Sequence, residues 1–235
     1  MTLTHRLAHP TFSFLRLLLS LVLLCSALAW SPRANASGNG LWMAGNDYFV
    51  LMQDVNNGIV VALQVPQTYS PLTVWVGLAT STGISVRSVA NENDTLTANY
   101  SSNTNLSGTS VINGVSQPFN ANLLYAYVGS TYDGVWQKTA ANSAFLVYLT
   151  LSLSGGILPI QFDVTINPDK TYTYNLFTGS YNPSTYTFTG ISLLTPTLGS
   201  RLVFNGSNLA GTYITTGQPP STTSFSANQL IKLAN

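Results

Sequence analysis

Five short motifs occur twice along this chain of 235 residues, and they follow the same order both times. A Gly-x-Trp motif opens each copy, at 40–42 and 134–136, and an Asn-Leu-x-Gly-Thr motif comes near its end, at 105–109 and 208–212. The other matched segments are 49–51 with 145–147, 58–60 with 156–158, and 119–122 with 225–228. Chance similarity explains single matches but not their shared order, so the sequence predicts two homologous copies, residues 37–128 and 129–235.

Each copy has the pattern of a series of short β-strands. Runs rich in Val, Ile, Thr, Tyr and Phe recur about every 8–12 residues, and the segment from Thr185 to Thr189 alternates threonine with aromatic residues throughout. Gly, Asn and Pro mark tight turns between the runs, as at 56–58, 154–156 and 167–170. About eight strands fit into each copy, and consecutive strands joined by tight turns form an antiparallel meander.

The scarcity of charge favours closed sheets. Charged residues make up 6% of the chain, whereas about 25% is usual, so few charges are present to protect exposed strand edges. Closing a meander into a barrel removes those edges. We therefore predict an all-β fold made of two homologous eight-strand barrel-like repeats, or of one composite barrel or sandwich, preceded by a signal helix.

The first 36 residues have the order of a secretory signal peptide. Arg6 and Arg16 lie near the start, an apolar run extends from Leu17 to Trp30, and the small residues of 34–36 suit a cleavage site. The apolar run is shorter than the roughly 20 residues of a membrane-spanning helix, so cleavage is favoured over an uncleaved anchor. We expect a secreted, periplasmic or cell-surface protein, with membrane attachment only where cleavage fails.

Cleavage after this segment would remove every histidine and cysteine, namely His5, His9 and Cys25. The mature chain would then have no disulfide and no Ser-His-Asp or Cys-His catalytic group. It would also lack the usual ligands of zinc, copper, haem and iron–sulfur centres, so we expect no cofactor and no metal. The mature chain would contain five basic and seven acidic residues. It would have no basic patch, so we expect no nucleic-acid partner.

The Gly-x-Trp opening, the eight-strand meander and the late Leu-x-Gly-Thr motif together resemble the calycins, in particular the streptavidin and lipocalin families. The resemblance covers each repeat through Trp42 and Trp136 and through 106–109 and 209–212. It implies a barrel with one open mouth, and it does not name a ligand.

Aromatic residues are the candidate binding groups. The candidates are Tyr172, Tyr174, Tyr181, Tyr186 and Trp75. Tyr172 and Tyr174 share one strand face, and Tyr186 shares a face with Phe188 on the expected return strand, so the two pairs would form a cross-strand ladder. Exposed, that ladder would be a stacking platform for sugars, whereas the structural alternative is ordinary core packing. Trp75 precedes Gly77 as Phe177 precedes Gly179, which indicates a core aromatic of the repeat.

A few charged residues are candidates for catalysis or metal binding. Asp163 shares its strand face with Gln161, away from Phe162, and is expected to face solvent. Lys138 follows Trp136 at a place where burial could lower its pKa, with an exposed lysine as the alternative. The loop 91–95 offers oxygen ligands for calcium, but it lacks the spacing and glycine of an EF-hand loop, so a solvated turn is favoured.

Three classes of function remain open at this stage. The favoured one is a non-catalytic exported protein that binds a small molecule, a glycan or a protein partner at barrel mouths or at an aromatic face. A structural or assembly component, with self-association, is the first alternative, and a hydrolase that uses paired carboxylates is the second. An outer-membrane barrel is disfavoured because most of the expected strands are shorter than about 9–11 residues.

Overall fold

The computed structural model describes residues 38–54, 57–68, 71–140, 143–216 and 219–233. The expected signal peptide and its helix therefore lie outside the described residues. No helix within the described ranges has the length and apolar character needed to cross a membrane. The described chain forms sixteen strands: β1 Gly40–Ala44, β2 Asp47–Gln53, β3 Ile59–Pro66, β4 Thr73–Ala79, β5 Gly83–Ser88, β6 Thr95–Ser102, β7 Asn105–Ile112, β8 Val115–Ala126, β9 Gly134–Lys138, β10 Ala144–Leu153, β11 Gly156–Ile166, β12 Tyr172–Asn182, β13 Thr187–Ser192, β14 Leu198–Asn205, β15 Asn208–Thr215 and β16 Ser221–Lys232.

The strands close into two separate barrels. Strands β1 to β8 form barrel 1 and strands β9 to β16 form barrel 2, and in each barrel every strand pairs antiparallel with its sequence neighbour. The last strand returns to pair with the first, β8 with β1 and β16 with β9. The prediction of an all-β meander is confirmed, and of its two forms the structure has two eight-strand barrels rather than one composite sheet.

Strand register supports the duplication and corrects two of the five motif matches, 49–51 with 145–147 and 58–60 with 156–158, each by one residue. Trp42 lies opposite Phe49 in barrel 1, and Trp136 lies opposite Leu146 in barrel 2. Phe49 therefore corresponds to Leu146, whereas the sequence match had aligned it with Phe145. Because neighbouring residues of a strand point to opposite faces, this shift of one residue exchanges the inside and the outside of the barrel. Phe49 lies inside its barrel, and Phe145 lies outside.

The interior of barrel 1 is filled by its own side chains. Two tryptophans, Trp42 and Trp75, are buried there, and Phe119 packs edge-on against Phe49 with 5.0 Å between ring centroids. The void that remains at the centre has a volume of about 10 Å³, which is about the space that one water requires. Barrel 1 is therefore a packed core, not a ligand cavity.

A third core lies between the two barrels. It is formed by outward-facing residues of β2, β3 and β4 in barrel 1 and of β9, β10 and β11 in barrel 2. These strands are buried on both faces, which explains their nearly continuous apolar sequences, as in Phe49–Met52 and Phe145–Leu149. Both copies therefore contribute their second and third strands to one shared core.

This third core reverses one expectation from the sequence. Phe162 and Val164 do lie on the opposite face of β11 from Asp163, but that apolar face packs between the barrels. Asp163 accordingly points into the mouth of barrel 2 and not to open solvent; its side chain is 14% exposed. The sequence correctly predicted that Asp163 and Phe162 lie on opposite faces of β11. It did not predict which face lies inside barrel 2, because packing between the barrels buries the outer face as well.

Candidate functional site

Trp75 belongs to the core and not to a binding surface. Its side chain is 2% exposed inside barrel 1, and its indole Nε1 donates to Gln64 Oε1 at 3.0 Å. Phe177 has the corresponding place in barrel 2 and is fully buried. The glycine two residues later is required in both copies, since a Cβ at Gly179 would lie 1.9 Å from the carbonyl oxygen of Thr189. Trp75 and Phe177 are therefore core aromatics of the repeat, as their positions before Gly77 and Gly179 indicate.

Tyr172 and Tyr174 pack against the core between the barrels. They lie on the outer side of β12 opposite Ile166 and Val164, half-buried against the core between the barrels. Burial raises the pKa of Tyr172 to about 12. The aromatic ladder expected from the sequence does not form, because β12 continues to Asn182 and the turn falls at 183–186.

The structure does bring Tyr181 and Tyr186 together, at the mouth of barrel 2 where β12 ends. Both rings pack around Tyr132, a residue that sequence reasoning did not single out. The ring centroid of Tyr132 is 6.4 Å from that of Tyr181 and 5.9 Å from that of Tyr186. We call Tyr132, Tyr181 and Tyr186 the tyrosine mouth.

A floor of buried rings closes the barrel beneath the tyrosine mouth. Tyr132 stacks on Phe204, with 4.6 Å between centroids and 15° between planes. Tyr148 lies 4.8 Å from Phe204 and 5.4 Å from Phe188, and all three floor residues are almost completely buried. A ligand at this end would therefore lie across the mouth and would not enter the barrel.

Tyr186 is held in an unfavourable backbone conformation. Its φ is +50°, in the left-handed region that side chains other than glycine and asparagine rarely adopt. Its carbonyl oxygen accepts a hydrogen bond from the backbone N–H of Phe204 at 2.9 Å, which fixes the turn. The result is a ring that is 52% exposed and leans against Tyr132. Strain of this kind is commonly retained where a side chain has a function.

Barrel 1 shows that the fold does not need these tyrosines. The indole of Trp42 donates to the carbonyl of Gly38 at 2.9 Å, just as that of Trp136 donates to the carbonyl of Tyr132 at 3.1 Å. Glycine thus takes the place of Tyr132 in barrel 1. Register likewise matches Tyr181 with Ala79, since each lies opposite the second residue of the next strand. This internal comparison is the signal that could have revealed Tyr132 from sequence.

Asp133 is a buried carboxylate next to this mouth. It is 0% exposed, and it accepts hydrogen bonds from Thr150 Oγ1, 2.9 Å from Oδ1 and 2.7 Å from Oδ2, and from the backbone N–H of Ser130 at 3.0 Å. Burial raises its pKa to about 6, although these hydrogen bonds oppose the shift. Burial together with the charge of Asp133 and the nearby Tyr181 raises the pKa of Tyr148.

The two turns beside Tyr186 are polar and uncharged, whereas Lys232 at the end of β16 is exposed and lies opposite Gly134. The turns at 182–187 and 205–208 carry hydroxyl and amide side chains and no acidic or basic one. Asn182 Oδ1 accepts from the backbone N–H of Ser184 at 2.9 Å, which orders the first of these turns. The arrangement offers exposed ring faces, phenol hydroxyls and neutral hydrogen-bonding groups.

The other residues considered from sequence lie elsewhere. Asp94 Oδ1 accepts from the backbone N–H of Asn113 at 2.7 Å and so fastens a turn. Lys138 is not an exposed lysine: its side chain is 12% exposed and its Nζ lies 2.6 Å from Asp163 Oδ1. Across the described ranges, no group of three or more His, Cys, Asp or Glu side chains could hold a metal ion.

Comparisons with known proteins leave the family open. No protein-family model matches the chain, and neither the curated proteins nor the solved structures compared with it give a match. What the structure supports of the calycin resemblance is the coarser statement: two tandem, closed, eight-strand antiparallel β-barrels.

Proposed function

We propose that this chain is an exported, non-catalytic protein that binds carbohydrate at the tyrosine mouth of barrel 2. The observation that carries the proposal is the exposed, strained Tyr186 ring packed beside Tyr132 and Tyr181. A calycin-like barrel that carries its ligand at one mouth is consistent with this arrangement. Export rests on the signal-like pattern of residues 1–36.

The chemistry of the mouth favours a neutral sugar over an apolar or charged ligand. The C–H faces of a pyranose carry partial positive charge and stack on aromatic rings, while its hydroxyls pair with phenol, amide and hydroxyl groups. An apolar ligand would need a cavity, and the rings of Tyr148, Phe188 and Phe204 close the floor. A charged ligand would need an exposed opposite charge beside Tyr186, and the turns 182–187 and 205–208 carry none.

Tryptophan fluorescence tests the proposal in solution, because Trp136 lies 5.5 Å from Phe204 in the floor of the mouth. Titration with a panel of neutral oligosaccharides should change the emission in a saturable manner. Tyr186→Ala should weaken the affinity about tenfold or more, which corresponds to about 1.4 kcal/mol. Tyr125→Ala is the matched control, since Tyr125 is a similarly exposed tyrosine (42%) on barrel 1. Equal loss in both variants, or no response to any sugar, would reject the proposal.

Assembly is a second candidate because barrel 2 also exposes an apolar strip. Ile191 and Ile214 lie on either side of Gly199, in register across three strands, and they are 61% and 41% exposed. Leu193, 55% exposed, lies just beyond the end of β13. Light scattering tests this candidate: self-association should be lost in Ile191→Thr, and a monomer at high concentration would argue against it.

A further inference from the structure

The opposite mouth of barrel 2 contains an ion pair that the proposed sugar site does not use. Lys138 Nζ lies 2.6 Å from Asp163 Oδ1, and the two side chains are 12% and 14% exposed. Aromatic rings flank the amine, with Nζ 4.9 Å from the ring centroid of Tyr213 and 4.7 Å from that of Phe225. The reactive ends of both side chains are thus held together in a largely water-free, aromatic surrounding.

Barrel 1 folds without this pair. Ala44 stands two residues after Trp42, where Lys138 stands two after Trp136. Gln64 lies opposite Phe49 on the next strand, where Asp163 lies opposite Leu146. Placing two charges in a barrel mouth carries a desolvation cost that attraction between them often fails to offset. A charged pair that only one of the two copies carries calls for an explanation beyond folding.

We propose that Lys138 and Asp163 condense to an amide, so that a covalent bond joins β9 to β11 across the mouth of barrel 2. The amine nitrogen bonds to the carboxyl carbon of Asp163, and one carboxyl oxygen leaves as water with two of the ammonium hydrogens. The third ammonium hydrogen stays on the amide nitrogen. Ammonium and carboxylate thus give one amide and one water, with no other reactant and no change of oxidation state.

Three features of the site support this reaction. Holding the two groups in contact replaces a bimolecular encounter by an intramolecular one, for which effective concentrations are very large. The aromatic surroundings favour a neutral amide over two partly buried charges. The third feature is the hydroxyl of Tyr213: burial and the nearby Asp163 carboxylate raise its pKa, so it stays protonated and available to stabilise negative charge on the carboxyl oxygen during attack.

Mass spectrometry of the denatured full chain tests the proposal. Trypsin cleaves after Arg87, Lys138 and Lys170, which follow one another in the sequence. An amide at Lys138 blocks cleavage there, so residues 88–170 should appear as one peptide whose mass is lower by one water. Separate peptides 88–138 and 139–170 at full mass would overturn the proposal.

Two variants locate the bond. Lys138→Gln cannot form it and should retain the full mass; loss of water in this variant would place the bond elsewhere. Asp163→Asn should form the same amide with release of ammonia, so that its product has the same mass as the linked wild-type chain. A water loss in Asp163→Asn would contradict the assignment to this carboxyl. The amide forms only in the folded chain but, once formed, survives denaturation, so each variant is first shown to fold and its mass is then read on denatured protein.

Discussion

Replacement of Asp133 by Asn should change how the stability of the protein depends on pH. Asp133 is fully buried and its pKa is raised from 3.8 to about 6, with burial as the main cause. Asn39 lies one residue after Gly38 in barrel 1, as Asp133 follows Tyr132, and its Oδ1 accepts from the backbone N–H of Gln53 at 2.6 Å. The fold therefore accommodates an amide at this position. In Asp133→Asn, the new Nδ2 would donate to Thr150 Oγ1.

The sign follows from proton binding in the two states. Between pH 4 and 6 the folded chain keeps the proton of Asp133, whereas the unfolded chain has lost it. The contribution of this group to stability is therefore fully present below about pH 4 and is lost as pH rises through about 6. A difference of about two pKa units corresponds to about 3 kcal/mol. Asp133→Asn should remove this loss.

Urea denaturation of both proteins at a series of pH values from 4 to 7.5 provides the assay. Asp169, exposed and with a pKa lowered by the hydroxyl and backbone N–H of Thr171, acts in the opposite direction but is present in both proteins. The difference between the two curves therefore isolates Asp133. We expect the variant to gain about 3 kcal/mol relative to wild type between pH 4 and 7. Parallel curves, or a wild-type chain that gains relative stability as pH rises, would refute the reasoning.

Three other substitutions and one control variant test separate parts of the structure. Tyr186→Gly removes the cost of a positive φ, so it should raise the free energy of unfolding by about 1 kcal/mol in urea titrations while abolishing sugar binding; a loss of stability would contradict the strain argument. Gly179→Ala should lower the free energy of unfolding by about 2 kcal/mol or more, because the new Cβ would lie 1.9 Å from the carbonyl oxygen of Thr189. Gly155→Ala is the control: nothing lies within 4 Å of its Cβ, so the same assay should show no change. Leu149→Ala, in the core between the barrels, should cost about 3 kcal/mol, and calorimetry should still show one transition; two separated transitions would mean that the barrels do not depend on their shared core.

The sequence predicted the repetition and the barrel class because both depend on local signals. Turn residues such as those at 167–170 and the alternation of strand residues act over a few positions. The face of each strand that lies inside a barrel depends on what covers its outer side. Residues such as Phe145 and Val147 pack between the barrels, and no local pattern separates this burial from burial inside the barrel. That is why segment 49–51 was matched one residue out of register and why Asp163 was expected at the surface.

The candidate site was recovered only in part for a similar reason. Tyr186 was selected as part of an aromatic ladder that does not form, and Tyr181 as a further aromatic candidate, yet both lie at a barrel mouth. Tyr172 and Tyr174 were selected for the same ladder, but they are half-buried against the core between the barrels. Tyr132 stands before the first strand of its barrel, more than 45 residues from Tyr181 in sequence, and closure of the barrel brings the two together.

Nuclear magnetic resonance of the chain with isotope-labelled tyrosine rings tests the central claim most directly. On addition of a bound oligosaccharide, the ring signals of Tyr132, Tyr181 and Tyr186 should shift together with a single saturation curve. Tyr125, exposed on barrel 1, and Tyr213, at the opposite mouth of barrel 2, should not shift. Saturable shifts confined to Tyr125 or Tyr213, or an unchanged spectrum with every sugar in the panel, would contradict the assignment of the tyrosine mouth as a carbohydrate site.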